Sequence, residues 1–434
     1  MGPKKKDGGK KKAKESDEPG QKAEDLLSTY NAFVKKIGLP SNPEVVSALS
    51  NEENPFKGKQ IIIDGGDASK GAQPLGPGGC RALATAIMGV GQGMPKHPET
   101  GKNMLYKPLQ ELRIWGADIG DDGASSIAEL LRLGGAEIQL QYLELTNNNI
   151  TAVGGFALGR SLSCMMNMSL ITLSLDYNMS FGSEGVAALC LGLRSNSTLK
   201  KLSLRYCNLD GDSGGPLGEV LAFTRSGLNI LDVQGNHIGG KGLLDLCPGL
   251  QCNKSLTQLV LADNDISEAE VDNESLKKFA EVLLVHPTIA KVDLLYNRFG
   301  GAGEYLVPAV DPASGGNKNI TEFRVDASLH DDLYLKLNKM GGGGKKGKKG
   351  KKKCDRRLKE NFRILAEASD DAPAIYSFNY KGEEAEQEQV GVVAQELFGT
   401  WWERKVTVEC DEVDGLHLQV DEYFVDELLR GSRK

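Results

Sequence analysis

Residues 140–150 have the sequence LQYLELTNNNI, and this stretch decides the fold. Leucines alternate with polar residues up to Leu145, which predicts a short strand whose leucines point to one side. Asn148 follows where the chain must leave the strand, and its side-chain amide can bind backbone groups that the strand no longer pairs. The stretch therefore predicts one strand and one turn of a repeating unit.

The template L-x-x-L-x-L-x-x-N-x-I recurs along the chain, with weaker copies at both ends, in eight or nine units. The first positions of eight units lie 28 to 33 residues apart, at 109, 140, 170, 199, 228, 256, 289 and 320. Segments between them, such as GVAALCLGLR at 185–194 and LKKFAEVLL at 276–284, have the apolar spacing of amphipathic helices. The position after each central strand forms a ladder of Asn148, Asn178, Cys207, Asn236, Asn264 and Asn297. The expected fold class is α/β, a solenoid with one strand and one helix per repeat.

Two motifs after the ladder residues, ITAVGGFALGRSL at 150–162 and GSEGVAALCLGL at 182–193, carry a family resemblance. With the template, they resemble the ribonuclease-inhibitor-like leucine-rich repeats over about residues 58 to 330. The resemblance implies a horseshoe with strands on its concave face and helices on its convex face. It also implies protein binding on the concave face rather than catalysis. We place the repeat domain at residues 58–338, after an N-terminal helical cap at 26–57.

The formal net charge of −7 hides two lysine-rich segments. Residues 1–14 carry +6 and residues 341–353 carry +7, so −20 remains on the rest of the chain. We expect a disordered basic tail at 1–25 and a Gly/Lys-rich linker at 339–353. Such segments fit acidic polymers such as tubulin tails, nucleic acid or anionic lipid. Neither contains an aromatic residue, which argues against sequence-specific nucleic-acid binding.

The N-terminus has no apolar stretch after its lysines, and no run of 18 apolar residues occurs. We therefore expect a cytoplasmic protein without a membrane span. The eight cysteines have no C-x-x-C pair and are expected to be reduced and mostly structural, and the seven N-x-S/T matches are ascribed to the repeat itself. The five histidines lack ligand spacing, and no phosphate-binding loop is present, so neither metal nor cofactor is predicted.

Residues 354–434 differ in kind from the repeats and contain, in order, CDRRLKENF, YSFNYKG, QVGVVAQELF and DGLHLQVDEYFVDELL. This order resembles the intramolecular chaperone domain of phage tailspikes (peptidase S74-like), a small α+β domain that implies a homotrimer. In that family a serine and a lysine form a self-cleaving dyad. Here the serine position is occupied by Cys354 and the lysine position by Lys359, so the resemblance implies a degenerate dyad that could cleave before Cys354.

Three functional hypotheses follow, and the first is favoured. The chain is a non-catalytic scaffold or adaptor, with the MGPKKK start similar to flagellar axoneme proteins and thus a place in the cytoskeleton or the axoneme of a cilium or flagellum. Alternatively, it is a self-processing protein cleaved before Cys354. A third hypothesis is a GTPase-activating regulator of the repeat family, for which Arg113, Arg205 and Arg324 lie at or near strand positions.

Overall fold

The computed structural model describes residues 21–65, 74–90 and 104–339, together with five strands further along the chain. The chain divides into two compact units, unit 1 (Met1–Leu337) and unit 2 (Asn338–Lys434). This division falls beside the domain boundary expected at residue 338. Of the tail predicted at 1–25 and the linker predicted at 339–353, residues 1–20 and 340–353 lie outside the described residues.

Unit 1 contains one parallel sheet of nine strands in sequence order. The strands are β1 Gln60–Asp64, β2 Glu111–Trp115, β3 Tyr142–Glu144, β4 Thr172–Ser174, β5 Lys201–Ser203, β6 Ile230–Asp232, β7 Gln258–Val260, β8 Lys291–Asp293 and β9 Glu322–Arg324. Sequential parallel strands require a crossover between neighbours, and here each crossover runs through a helical segment. The predicted α/β leucine-rich-repeat solenoid is confirmed.

Two helices of unit 1 precede the first strand, and at least one helical segment follows each of the nine strands. The α-helices are α1 Ala23–Lys36, α2 Pro43–Ser50, α3 Gly76–Ile87, α4 Gly120–Gly134, α5 Ala152–Ser161, α6 Gly182–Leu193, α7 Gly214–Ala222, α8 Gly239–Cys252, α9 Glu270–Val285, α10 Val307–Val310 and α11 Asp331–Leu337. Short 3-10 helices span Gly211–Ser213, Gly300–Leu306 and Pro312–Ser314. Helix α1 begins at Ala23, inside the segment expected to be tail, because the Asp25 carboxylate accepts a hydrogen bond from the Lys22 N–H and caps it. Among the described residues, no helix is long and apolar enough to cross a membrane.

The core of unit 1 is a column of apolar side chains from the strand centres. Each member is the direct register partner of the next, and the central leucines of β3 to β7 are fully buried. The column comprises Leu112, Leu143, Leu173, Leu202, Leu231, Leu259, Val292 and Phe323. Because every repeat supplies one member at the same position, each repeat is stabilised mainly by its two neighbours.

Helix spacing in the middle of unit 1 depends on glycine. A Cβ at Gly192 in α6 would overlap the backbone carbonyl of Gly159 in α5, and one at Gly249 in α8 would overlap that of Gly218 in α7. These pairs of helices can therefore approach to backbone contact, which side chains at these positions would prevent.

The five described strands of unit 2 form two antiparallel groups. One contains β10 Lys359–Ala366, β11 Ile375–Tyr380 and β12 Gln389–Gly391, and the other pairs β13 Val406–Asp411 with β14 Gly415–Val420. These strands belong to the small C-terminal domain that the sequence predicted.

Candidate functional site

The candidate binding surface of unit 1 is the sheet face opposite the helices. Since the central residue of each short strand points into the core, its two neighbours point the other way. We define the strand face as these outward residues: Glu111, Arg113, Trp115, Tyr142, Glu144, Thr172, Ser174, Lys201, Ser203, Ile230, Asp232, Gln258, Val260, Lys291, Asp293, Glu322 and Arg324. Its composition is mixed, with aromatic, small and oppositely charged side chains.

Each of the three arginines at or near the strand face is held by an acidic neighbour. Arg205 binds Asp232 through Nε at 2.7 Å and through a second, shorter bond from Nη2, and the Asp232 side chain is only 3% exposed. Arg324 donates from Nη1 to Asp293 at 2.7 Å. Burial raises the pKa of the Asp293 carboxyl, while the positive charge of Arg324 acts in the opposite direction.

Arg113 lies at the other end of the strand face. Its Nε bonds to Glu111, and its guanidinium carbon is 4.6 Å from the centre of the Tyr142 ring. A guanidinium within 6 Å of an aromatic ring makes a favourable cation–π contact. These arginines are therefore components of ordered ion pairs and ring contacts. A binding partner would contact the arginines in this paired state.

The ladder residues hold the turns that follow the strands. The Asn178 amide donates to the carbonyls of Leu145 (2.9 Å) and Leu175 (2.7 Å) and accepts from the N–H groups of Asn148 (2.9 Å) and Ile150 (3.0 Å). It thus joins two consecutive repeats. Two further ladder residues make the same four kinds of bond, Asn236 and Asn297.

Three ladder positions differ from that pattern. Asn148 donates to the Ile114 and Thr146 carbonyls but accepts only from the Ala117 N–H. Cys207 occupies the position with a thiol 3.2 Å from the Leu175 carbonyl oxygen. Asn264 donates twice, but its side-chain oxygen has no hydrogen-bond partner among the described residues.

A second buried ladder, which sequence reasoning did not identify, lies before the strands. The Asn196 amide donates to the Leu162 carbonyl and accepts from the N–H groups of Thr198 and Leu199. Asn167 and Asn253 make equivalent bonds. Each of these asparagines begins an N-x-S/T match, which the sequence analysis did not treat as a glycosylation site. That spacing was the available sign of this ladder, because the asparagine forms a turn with the residue two positions later.

Thiol chemistry is suppressed at the cysteines inside unit 1. Burial raises the pKa of the Cys80, Cys190, Cys207 and Cys247 thiols to about 12. Cys164 and Cys252 are exposed, and all six are free thiols. Among the described residues no group of histidine, cysteine and carboxylate side chains could hold a metal ion. Cys354 lies outside the described residues, while Lys359 begins β10 and its side chain is not described.

The residues directly after the strands form the most distinctive part of this surface. We define the turn row as the residue that precedes the ladder position in seven consecutive repeats: Gly116, Asn147, Tyr177, Tyr206, Gly235, Asp263 and Tyr296. All seven have a positive φ, between 51° and 72°. The backbone N–H groups of the first six, from Gly116 to Asp263, donate to carbonyls of the next repeat, which keeps the row aligned. Sequence reasoning missed this row, although a tyrosine directly before the ladder position in three repeats was visible.

Comparison with known proteins supports both parts of the fold assignment. Residues 107–128, 139–159, 195–218 and 228–247 match the Leucine Rich repeat family model, and residues 354–398 match Chaperone of endosialidase. The NACHT, LRR and PYD domains-containing protein 5 of Homo sapiens is 32% identical over 188 residues, which cover 43% of this chain and 14% of that protein. The ribonuclease inhibitor of Mus musculus is 30% identical over 200 residues, which cover 45% of this chain and 41% of the inhibitor.

Among solved structures, the tropomodulin C-terminal domain of Caenorhabditis elegans aligns with a TM-score of 0.30 and 14% identity, covering 36% of this chain and 88% of that one. The chain spans less than half the length of the two relatives named above. The repeat matches and the two relatives support the leucine-rich-repeat assignment of unit 1.

Proposed function

We propose that this chain, a leucine-rich-repeat protein of the ribonuclease-inhibitor-like kind, is a non-catalytic scaffold that binds other proteins on the strand face of unit 1. The observation that carries the proposal is a sheet face with charged and aromatic side chains, among them Arg113, Tyr142 and Lys291, that are at least partly exposed above a separate leucine core. Such a row can contact a partner without exposing the core, and aromatic and arginine side chains supply much of the energy at protein interfaces.

The GTPase-activating alternative receives no support from this arrangement. A catalytic arginine must reach developing negative charge on a phosphoryl group. Arg113, Arg205 and Arg324 are instead engaged by carboxylates of their own unit. We therefore favour binding over regulation of GTP hydrolysis.

We further propose that the scaffold is cytoplasmic and belongs to the cytoskeleton or to a ciliary or flagellar axoneme. Its support is the composition of the chain, since lysine-rich segments at 1–14 and 341–353 accompany an acidic remainder. Lysine clusters attract acidic polymers such as tubulin tails, with an affinity that falls as the salt concentration rises.

Charge reversal on the strand face tests the scaffold proposal in cells of the source organism. The variant Lys201→Glu/Lys291→Glu should weaken retention of the tagged chain in detergent-extracted cytoskeletons by about tenfold, because it reverses charge at the proposed interface. Its matched control is Lys241→Glu/Lys278→Glu on helices α8 and α9, which should be retained like the unmodified chain. Lys278 and Lys291 are comparable, since each pairs with a glutamate at 2.9 Å and is about half exposed. Equal retention of both variants would refute the strand face as the docking surface.

A second proposal concerns unit 2, and the match to Chaperone of endosialidase, which begins at Cys354, favours it. We propose that unit 2 assembles the chain as a homotrimer, which would multiply the strand faces available to one partner. Light scattering on the purified chain should give three times the 46.7 kDa of a single chain. A monomer mass would contradict the proposal.

The same sample distinguishes assembly from self-processing. We expect the intact chain on a blot against a C-terminal tag, because a thiol stands where the family uses a hydroxyl. A fragment of residues 354–434 that disappears in Cys354→Ala would instead establish cleavage before Cys354. Fragments that persist in this variant would indicate ordinary proteolysis among the lysines.

A further inference from the structure

Three tyrosines of the turn row occupy a backbone conformation that side chains of their type seldom adopt. Tyr177, Tyr206 and Tyr296 have φ values of 61°, 51° and 60°. Left-handed backbone suits glycine and, to a lesser degree, asparagine and aspartate, and those are the residues that fill the row elsewhere. The three tyrosines therefore place aromatic rings at positions where smaller residues would serve the fold.

Two of these rings form a small aromatic platform. The Tyr177 and Tyr206 rings stack with their centroids 4.8 Å apart and their planes at 17°. The Tyr206 ring covers the next repeat, because a Cβ at Gly235 would overlap it. Tyr177, at the end of the stack, remains 49% exposed, and Tyr296, two repeats beyond Gly235, is 37% exposed.

Carboxylates surround this platform. Asp176 directly precedes Tyr177, and Asp263 occupies the turn row between Gly235 and Tyr296. Two more, Asp212 and Asp265, lie on the segments that follow the turns; they pair with Lys241 and His237, and their side chains are 76% and 66% exposed. Arg205, which directly precedes Tyr206, is already bound to Asp232. The negative charge of these carboxylates therefore favours the binding of a positively charged group at the platform.

We propose that Tyr177, Tyr206 and Tyr296, together with Asp176 and Asp263, form a docking site for lysine or arginine side chains on an extended segment of a partner protein. The inference rests on the proposed scaffold function and names the chemistry of its partner. A cation above an exposed tyrosine face is attracted by the ring, and an adjacent carboxylate adds a direct charge interaction. An acidic segment would be repelled by the same carboxylates.

The test uses the full chain with fluorescein-labelled oligolysine as the probe and oligoglutamate as its opposite, read by fluorescence anisotropy. The variant Tyr177→Asn/Tyr206→Asn removes both rings and retains a residue that Asn147 shows to be compatible with the turn. We expect it to bind oligolysine at least about tenfold more weakly. Tyr305→Asn removes a tyrosine of similar exposure (37%) from a 3-10 helix outside the row, and its binding should be unchanged. Circular dichroism confirms that each variant is folded.

Three outcomes would overturn the inference. They are unchanged oligolysine binding by Tyr177→Asn/Tyr206→Asn, an equal proportional loss of oligoglutamate binding in that variant, and loss of oligolysine binding in Asp263→Asn but not in the tyrosine variant. The last would indicate attraction to acidic charge without a role for the rings. None of these outcomes would contradict the scaffold proposal. That proposal is tested separately, by the retention of the Lys201→Glu/Lys291→Glu variant in extracted cytoskeletons.

Discussion

Replacing Asn178 by alanine should lower the free energy of unfolding of unit 1 by about 4 kcal/mol, a large effect for one side chain. The asparagine is fully buried and makes four hydrogen bonds that join two repeats. Alanine would leave the Leu145 carbonyl and two buried N–H groups without partners, and the Leu175 carbonyl with only the weak Cys207 thiol as a donor. Urea denaturation of the full chain, followed by far-ultraviolet circular dichroism, measures the loss.

The chain contains its own reverse control for this prediction. At the equivalent position, Cys207 offers one thiol to the Leu175 and Arg205 carbonyls, where an asparagine could offer two donors and an acceptor. Cys207→Asn should therefore raise the free energy of unfolding by about 1 kcal/mol. If Asn178→Ala cost less than 1 kcal/mol, water would have to replace the lost bonds, and the ladder would not be a major source of stability.

The ladder also matters for the binding surface. Each turn-row residue directly precedes a ladder residue, so the bonds of Asn178 fix the backbone on which Tyr177 is carried. Loosening that turn would release the Tyr177 ring from its stack on Tyr206. A stable ladder therefore keeps the aromatic platform ordered before a partner arrives, which reduces the entropy lost on binding.

The spacing of the leucines was sufficient to predict the solenoid. Each repeat contains leucines that alternate with polar residues, then a turn residue, then apolar residues at helical spacing, and the repeats follow one another at nearly constant separation. Leu143 and Leu173 had to face one interior, whichever partner the protein binds. The ninth unit, which the weaker copies left open, forms β1, where Ile61 and Ile63 are buried.

The turn row could not be predicted in the same way. A tyrosine before a ladder asparagine looks like an ordinary surface residue, since nothing in the sequence states that its φ is positive. Only the bonds of the ladder on both sides force that conformation, and only the register of adjacent repeats places Tyr177 upon Tyr206. Similarly, the segment GVAALCLGLR at 185–194 predicted a helix, but not that its Gly192 approaches the backbone of Gly159 in the neighbouring helix.

The second large effect is expected at such a glycine. Gly192→Ala should lower the free energy of unfolding by about 3 kcal/mol, because the new methyl group would overlap the Gly159 backbone in the adjacent helix. A flexible side chain could turn away, but a helix backbone can yield only if α5 and α6 separate. Urea denaturation under the same conditions measures the difference.

The matched control is Gly215→Ala in α7, where an added Cβ meets no atom within 4 Å. There alanine should stabilise the chain by up to about 1 kcal/mol, since it loses less conformational freedom than glycine in a helix. The two substitutions are chemically identical, so a difference in sign isolates the contact between helices. If Gly192→Ala were as stable as Gly215→Ala, α5 and α6 could separate at little cost. The alignment of neighbouring repeats, including the 4.8 Å spacing of the Tyr177 and Tyr206 rings, would then depend on the strands and the asparagine ladder alone.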